Sequence, residues 1–298
     1  MLIDYNLLRC FRVVAKTESI SLASRELHLS QPAISLQIKN LEKQLGKALF
    51  DRHNRGLILT PFGQVLQRKL SKLKELELEI EELVSGDEGD VSGPVKVGTY
   101  TTASSYLLAG PVSEFLRENK KVTLSYSYDT SEGIIQKIKD YRLDCGILSD
   151  VPSDHLLDRV PVFTDQLILA QSKKHPICAK RIDPKELSQI DFLSYPLRFD
   201  LCYRKVEQLF GSHLAKARVA VESESFDTLK QMLIQGAGAT FIPKYLIHQE
   251  LEEGILSEVF VGNIKIPIVF SFVTKKNAHL SQVTAAFRDH LMTRLKGK

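Results

Sequence analysis

Little in this chain of 298 residues invites covalent or metal chemistry. Its four cysteines, Cys10, Cys145, Cys178 and Cys202, stand far apart and form no Cys-x-x-Cys pair. That spacing offers neither a disulfide framework nor a zinc site, and fits reduced thiols in a cytoplasmic protein. No apolar run is long enough to cross a bilayer. The opening "MLIDYNLLRCFRVVAK" is interrupted by Asp4, Arg9 and Arg12, so it does not read as a secretory leader. There is no phosphate-binding Gly-x-x-x-x-Gly-Lys loop, no His-Glu-x-x-His pair and no nucleophile elbow. "GAGATF", 236–241, looks like a dinucleotide loop but stands between a helix and a strand, the wrong order for one. The eight histidines are scattered. These absences argue against an enzyme and against a metal or other cofactor, and leave a protein that binds.

What is present divides unevenly. A hydrophobic content of 43% over this length supports more than one core. Residues 1–70 hold eleven bases and five acids, a balance of +6 against +4 for the whole chain, which leaves −2 for the remainder. A basic module joined to a slightly acidic one suggests that only the first meets a polyanion.

The basic module reads as helices with clear caps. Asp4 caps a first helix whose apolar face is Leu7, Leu8, Phe11, Val14 and Ala15. Ser19 or Ser21 opens a second, with Leu22, Ala23 and Leu27 inward. After a tight connection at His28-Leu29, Ser30 caps a third helix, with Pro32 in its first turn. At 100° per residue, Ile34, Ile38, Leu41 and Leu45 of that helix share one arc. The opposite arc holds Pro32, Ser35, Leu36, Lys39 and Lys43, with Gln31 at the tip. Two short helices and a tight turn describe a helix-turn-helix, and polar groups near a helix start followed by ammonium groups suit base edges and phosphates. An ordinary surface helix with solvated lysines would show the same charges.

The next segment, "ALFDRHNRGLILT", reads as two strands, around Phe50-Asp51-Arg52 and 56–59, joined by the basic turn His53-Asn54-Arg55. That is a wing whose Arg52 and Arg55 can reach phosphates. Thr60-Pro61 then starts a helix running to about Val84. Its Phe62, Leu66, Leu70, Leu73, Leu76, Ile80 and Leu83 form a seam at spacings of three and four. The seam either meets a second chain or docks on its own domain; a dimer suits a two-fold operator.

The run 19–63, "SISLASRELHLSQPAISLQIKNLEKQLGKALFDRHNRGLILTPFG", resembles the LysR-type transcriptional regulators. Ser30 to Ser35, Ile38, Leu41-Glu42, Leu45-Gly46, Leu49 to Arg52 and Leu59 to Gly63 fall in that family's order. The chain departs from it at Ala23-Ser24, where paired alanines are usual, and at Leu36, where a polar residue is common. The resemblance implies a winged helix-turn-helix over 1–60, a dimerisation helix and hinge over 61–93, and a regulatory domain over 94–298. It further implies promoter DNA, a homodimer or homotetramer and RNA polymerase as partners, with no membrane.

After the small, acidic stretch 85–93, strands and helices alternate. "VKVGT" precedes a helix near 104–118, "VTLSYSY" precedes one near 131–140, and "DCGIL", "QLILA", "DFLSY", "ARVAVE" and "ATFIP" continue the pattern. This α/β alternation suggests mostly parallel sheets. The resemblance implies two lobes built like a periplasmic binding protein, 94–163 with 268–298, and 164–267. In such sheets ligands sit beyond strand carboxyl ends, beside helix N-termini. The candidates there are Thr101, Thr102 and Ser104, then Thr130 and Ser131, then Arg198, Phe199 and Cys202, and Ser225 with Phe226. Each hydroxyl is equally readable as a helix cap. Together the loops suggest a small, anionic effector. Cys202, near Arg204 and Lys205, leaves an alternative reading open, a redox-responsive regulator.

Overall fold

The computed structural model describes residues 3–53, 56–85, 91–196 and 203–295. The chain divides into two compact units, 1–86 and 87–298.

In the first unit, α1 (Tyr5–Thr17), α2 (Ile20–Leu27) and α3 (Gln31–Leu45) are followed by strands β1 (Phe50–His53) and β2 (Gly56–Leu59) and by the long α4 (Pro61–Ser85). The caps are those that local chemistry dictates. Asp4 accepts from the Asn6 amide, Ser19 from Leu22 and Ser30 from Ala33. The core joins Phe11 and Val14 of α1, Ala23 of α2, Ile34 and Leu41 of α3, and Leu49 with Phe50. The Phe11 and Phe50 rings lie 5.4 Å apart. Each of the larger side chains, alanine apart, contributes roughly 1.5–3 kcal/mol by leaving water.

Polar contacts then lock the wing and α4 to that core. The Glu42 carboxylate accepts from the Leu49 amide at 2.7 Å. The Thr60 hydroxyl donates to the Ala48 carbonyl at 2.8 Å and accepts from the Gly63 amide at 3.0 Å, capping α4. Gly63 must be glycine because a Cβ there would stand 2.3 Å from the Leu49 carbonyl oxygen.

Two expectations for this unit need correcting. Leu22 is 51% exposed, because the short α2 turns its Ala23 face to the core and leaves Leu22, one residue or about 100° away, at the edge. The seam of α4 is also split. Leu70 is buried, and Phe62, Leu66 and Leu73 pack partly buried against the same core. Three short helices leave one face open, and α4 closes it. Glu77 fixes the docking by accepting from Arg12 at 2.9 Å and from the Tyr5 hydroxyl. Among the described seam residues Leu76 and Ile80, 48% and 60% exposed, remain available to another chain; the Leu83 side chain lies outside the described residues.

The second unit begins with β3 (Gly93–Thr99). A π-helical turn, Ala103–Leu108, leads into α5 (Ala109–Glu118), followed by β4 (Val122–Tyr128), α6 (Ser131–Lys139) and β5 (Cys145–Ser149). The 16-residue β6 (Leu157–Ser172) comes next, with β7 (Arg181–Ile182), β8 (Asp191–Ser194), α7 (Tyr203–Leu214) and β9 (Arg218–Glu222) after it. The chain ends with α8 (Phe226–Ile234), β10 (Thr240–Pro243), α9 (His248–Glu252), β11 (Leu256–Val261), β12 (Ile266–Lys275) and α10 (Gln282–Leu295).

The sheets are mixed, not mostly parallel. β3 pairs in parallel with β4 and β5, and β8 with β9. β6, however, pairs antiparallel with β10, β11 and β12, and β12 antiparallel with β5. The reason is that β6 and β12 are shared. Their ladder runs from Leu157↔Lys275 to Leu167↔Ile266, passing from one lobe into the other. Phe163 pairs with Phe270 but Pro161 with Ser271, so Val162 is an extra residue. Such a bulge bends a strand and increases its twist. One lobe thus holds β3–β5 with α5, α6 and α10; the Phe115 and Phe287 rings of α5 and α10 lie 5.3 Å apart. The other holds β7–β11 with α7–α9.

Gly63→Ala is expected to destabilise the first unit by about 1–3 kcal/mol through overpacking against the Leu49 carbonyl. Thermal unfolding of the full chain should show that unit's transition moved down while the second unit's stays in place.

Candidate functional site

The rotation of α3 is fixed by Ile34 and Leu41, both fully buried, and by Ile38. Its other side is therefore presented outward. Gln31, Pro32 and Lys39 are exposed, Ser35 is half-buried, and Leu36 is 59% exposed. Ser30 works as the helix cap, its hydroxyl taken up by the Ala33 amide at 3.3 Å. Gln31 donates to the Ser21 hydroxyl of α2 at 3.4 Å, a positioning contact that the sequence pattern did not reveal. A hollow of about 490 Å³ opens here, lined by Gln31, Ser35 and Lys39 with Ile20, Phe50 and Leu57 at its sides. Arg52 lies in β1, but its side chain and the whole of Arg55 fall outside the described residues.

In the second unit, the strand ends bring hydroxyls together. The Tyr100 hydroxyl lies 2.6 Å from that of the fully buried Ser131, and Ser149 donates to Tyr100 at 3.4 Å. Ser104 donates to the Thr101 carbonyl at 2.8 Å, and its oxygen lies 3.2 Å from the Tyr128 hydroxyl. It does so from the π-helical turn, a deviation frequent at functional sites. Thr101 is exposed; Thr102 is half-buried and accepts from the Tyr245 hydroxyl at 3.5 Å.

Thr130 and Ser225 behave as caps, accepting from the Gly133 and Thr228 amides, each at 3.2 Å. Phe226 is a correction. It is buried and stacked on Tyr195 with ring centroids 4.0 Å apart, so it belongs to the lobe's core and not to a ligand surface. Arg198, Phe199 and Cys202 lie outside the described residues.

The sequence reading missed the groups that bridge the lobes. Tyr106, in the π-helical turn, donates to the Asp227 carboxylate at the start of α8 across 2.6 Å. That bond to Asp227, with some burial, pushes the phenol's pKa up to about 12. Lys230 sits 4.9 Å over the Tyr106 ring and pairs with Glu250 at 2.7 Å. Lys205 meets Asp150 at 2.8 Å and Arg204 meets Glu132 at 2.9 Å. Tyr106 and Asp227 are 121 residues apart, and nothing local marks either. These cations all have carboxylate partners, so they add no unpaired charge for an anion.

Burial disfavours the thiolate at each described cysteine. Burial raises Cys10 to about 11 and Cys145 well above the ordinary thiol value, and it also raises Cys178. Among the described residues no cluster of three metal-capable side chains occurs, and no helix is long and apolar enough to cross a membrane.

Two outcomes are expected. Leu36→Arg should change which operator is selected from a random DNA pool while moving stability by less than about 0.5 kcal/mol, as for a surface site. A collapse of the domain would mean that Leu36 is core. Tyr106→Phe removes one solvent-exposed bond worth about 0.5–1.5 kcal/mol. Hydrogen exchange should then accelerate in the first turn of α8 and in 103–108; unchanged protection there would show that the bond holds nothing.

Comparison with known proteins gives one consistent result. Residues 5–64 match the family described as "Bacterial regulatory helix-turn-helix protein, lysR family", and residues 88–296 match "LysR substrate binding domain". A "Probable RuBisCO transcriptional regulator" of Cyanophora paradoxa is 28% identical over 292 residues, covering 96% of this chain and 90% of that protein. A full-length OxyR variant from Pseudomonas aeruginosa superposes with a TM-score of 0.78 at 20% identity, over 98% of this chain and 95% of the other. Full-length CbnR in complex with its target DNA superposes with a TM-score of 0.55 at 20% identity, over 98% and 99%. With both halves of the chain matched in order, this protein belongs to the LysR family of bacterial transcriptional regulators.

Proposed function

We propose that the chain binds promoter DNA through α3 and the wing, as a homodimer or homotetramer in the cytoplasm, and that a small effector held between the lobes adjusts that binding. The observation that carries the first half is the outward face of α3. Polar groups at its N-terminal end suit base edges, Leu36 suits a thymine methyl, and Lys39 suits a phosphate. The exposed Leu76 and Ile80 of α4 support pairing with a second copy, which would place two reading heads on a two-fold operator.

The second half rests on the hydroxyl cluster at Tyr100, Ser104, Tyr128 and Ser131 and on the bonds that cross between the lobes. Arg198 remains a candidate for an anionic effector. A ligand binding among these groups biases the lobe angle only in so far as it favours one arrangement energetically. The lobe angle then sets the separation of the paired heads, and with it DNA bending and contact with RNA polymerase. The alternative, redox sensing through Cys202, gains nothing from the thiols at Cys10, Cys145 and Cys178, and the OxyR likeness speaks for the fold alone.

A thermal-shift screen of metabolites against the full chain identifies the effector. At a hundredfold excess over Kd, a specific ligand adds about 2.7 kcal/mol. Footprints on the promoter with and without that ligand at saturation are expected to differ in extent. Identical footprints would contradict the effector half of the proposal, and failure to retain promoter DNA at all would contradict the first half.

A further inference from the structure

A second cavity lies within the lobe of β7–β11, between α7 and the β8–β9 pair. Its volume is about 290 Å³. Among the described residues it shares no lining side chain with the hydroxyl cluster or with the Tyr106–Asp227 bridge. The walls are mainly apolar, with Ser194 and Thr240 among the lining residues. Phe192 and Phe241 contribute stacked rings 6.2 Å apart, and Val206 and Leu214 of α7 stand across from the sheet. Tyr203 also lines the space, but its hydroxyl is already committed to the Phe241 carbonyl at 2.7 Å. Among the described residues the one charged side chain in the lining is the exposed Glu207.

Gly211, in the last turn of α7, also lines this cavity. Alanine is the better helix former at such a position. Its backbone does not require it, because φ is not positive, and crowding does not require it either. An added Cβ would meet only the Glu207 Cγ, at 3.5 Å, an ordinary contact. The missing side chain therefore serves neither the turn nor the packing; its effect is to keep the cavity open. The space opens to solvent where Glu207, Ala215 and Val219 are exposed, and ligand pockets of this kind are lined mainly by apolar side chains with a few polar groups.

We infer that this cavity is a second ligand site, which takes an uncharged molecule of one or two rings. Aromatic and aliphatic walls reward burial of apolar surface, and Glu207 disfavours anions. This ligand class is the reverse of the polar one proposed for the cleft, and the inference does not depend on that proposal.

The test uses full-length protein and 5-fluoroindole as the probe, followed by fluorine NMR. Saturable binding of one probe per chain is expected. Gly211→Leu fills the cavity and should weaken binding at least about tenfold, a loss of about 1.4 kcal/mol, while its melting temperature stays level or rises. Ser131→Ala, in the cleft, should leave probe binding unchanged. Should Gly211→Leu fail to fold, Ala215→Leu from the same wall replaces it, with the same loss expected. The inference is overturned by absence of saturable binding to the wild type or by undiminished binding to the filled variants. It is equally overturned by a loss in Ser131→Ala that matches the loss in Gly211→Leu.

Discussion

The burial of Ile34, Ile38 and Leu41 against Phe11 and Ala23 determines what the first unit can do. These side chains leave α3 one rotation about its axis. Turned any other way, the helix would expose Ile34 and bury Lys39, at a cost far above what a surface helix tolerates. Everything on the outer side follows, from Gln31 at the tip to Lys39 two turns later. The same core recruits the wing through Glu42, whose carboxylate holds the Leu49 amide, and α4 through Thr60 and Gly63. Motif residues that identify the family are thus structural groups with definite partners. The residue that departs from the motif, Leu36, stands on the free face where no packing constrains it.

The second unit depends on a different device. Two antiparallel strands, β6 and β12, belong to both lobes, and the extra residue Val162 interrupts their ladder between the Phe163 and Pro161 pairings. Around those strands the lobes are tied by side chains: Tyr106 to Asp227, Lys205 to Asp150 and Arg204 to Glu132. The last pair is more than half exposed on both sides, so screening by water leaves it with little net strength. Tyr106 and Asp227 are exposed as well, whereas Lys205–Asp150, with the Asp150 side chain 12% exposed, is the tie least screened by water. If an effector shifts the lobe angle as proposed, these are the contacts it has to outcompete.

Features set by local chemistry were legible in the sequence. Asp4, Ser19, Ser30 and Thr130 cap helices because a side-chain oxygen three positions or fewer before a free amide needs no tertiary context. The period of α3 likewise disclosed Leu36 as outward. Tertiary choices were not legible. The seam of α4 has one period, yet Leu70 closes its own domain while Ile80 stays exposed, because only the first half has a core beneath it. The alternation of strands and helices suggested parallel sheets, whereas the shared strands impose antiparallel neighbours on both lobes. Phe226 follows a helix cap in a loop that looked ligand-facing, but stacking on Tyr195 takes it inward. The Tyr106–Asp227 bridge has no local signature at all.

The claim on which the functional account rests is that the outer face of α3 meets DNA, with Lys39 on a phosphate. The salt dependence of promoter binding by the full chain tests it most directly. Each phosphate contact contributes about −0.9 to the slope of log K against log salt. Lys39→Gln is expected to reduce that slope by about one and to weaken binding across operator sequences alike. A slope unchanged by Lys39→Gln, in a variant that still binds the promoter, would contradict the placement of this helix on DNA.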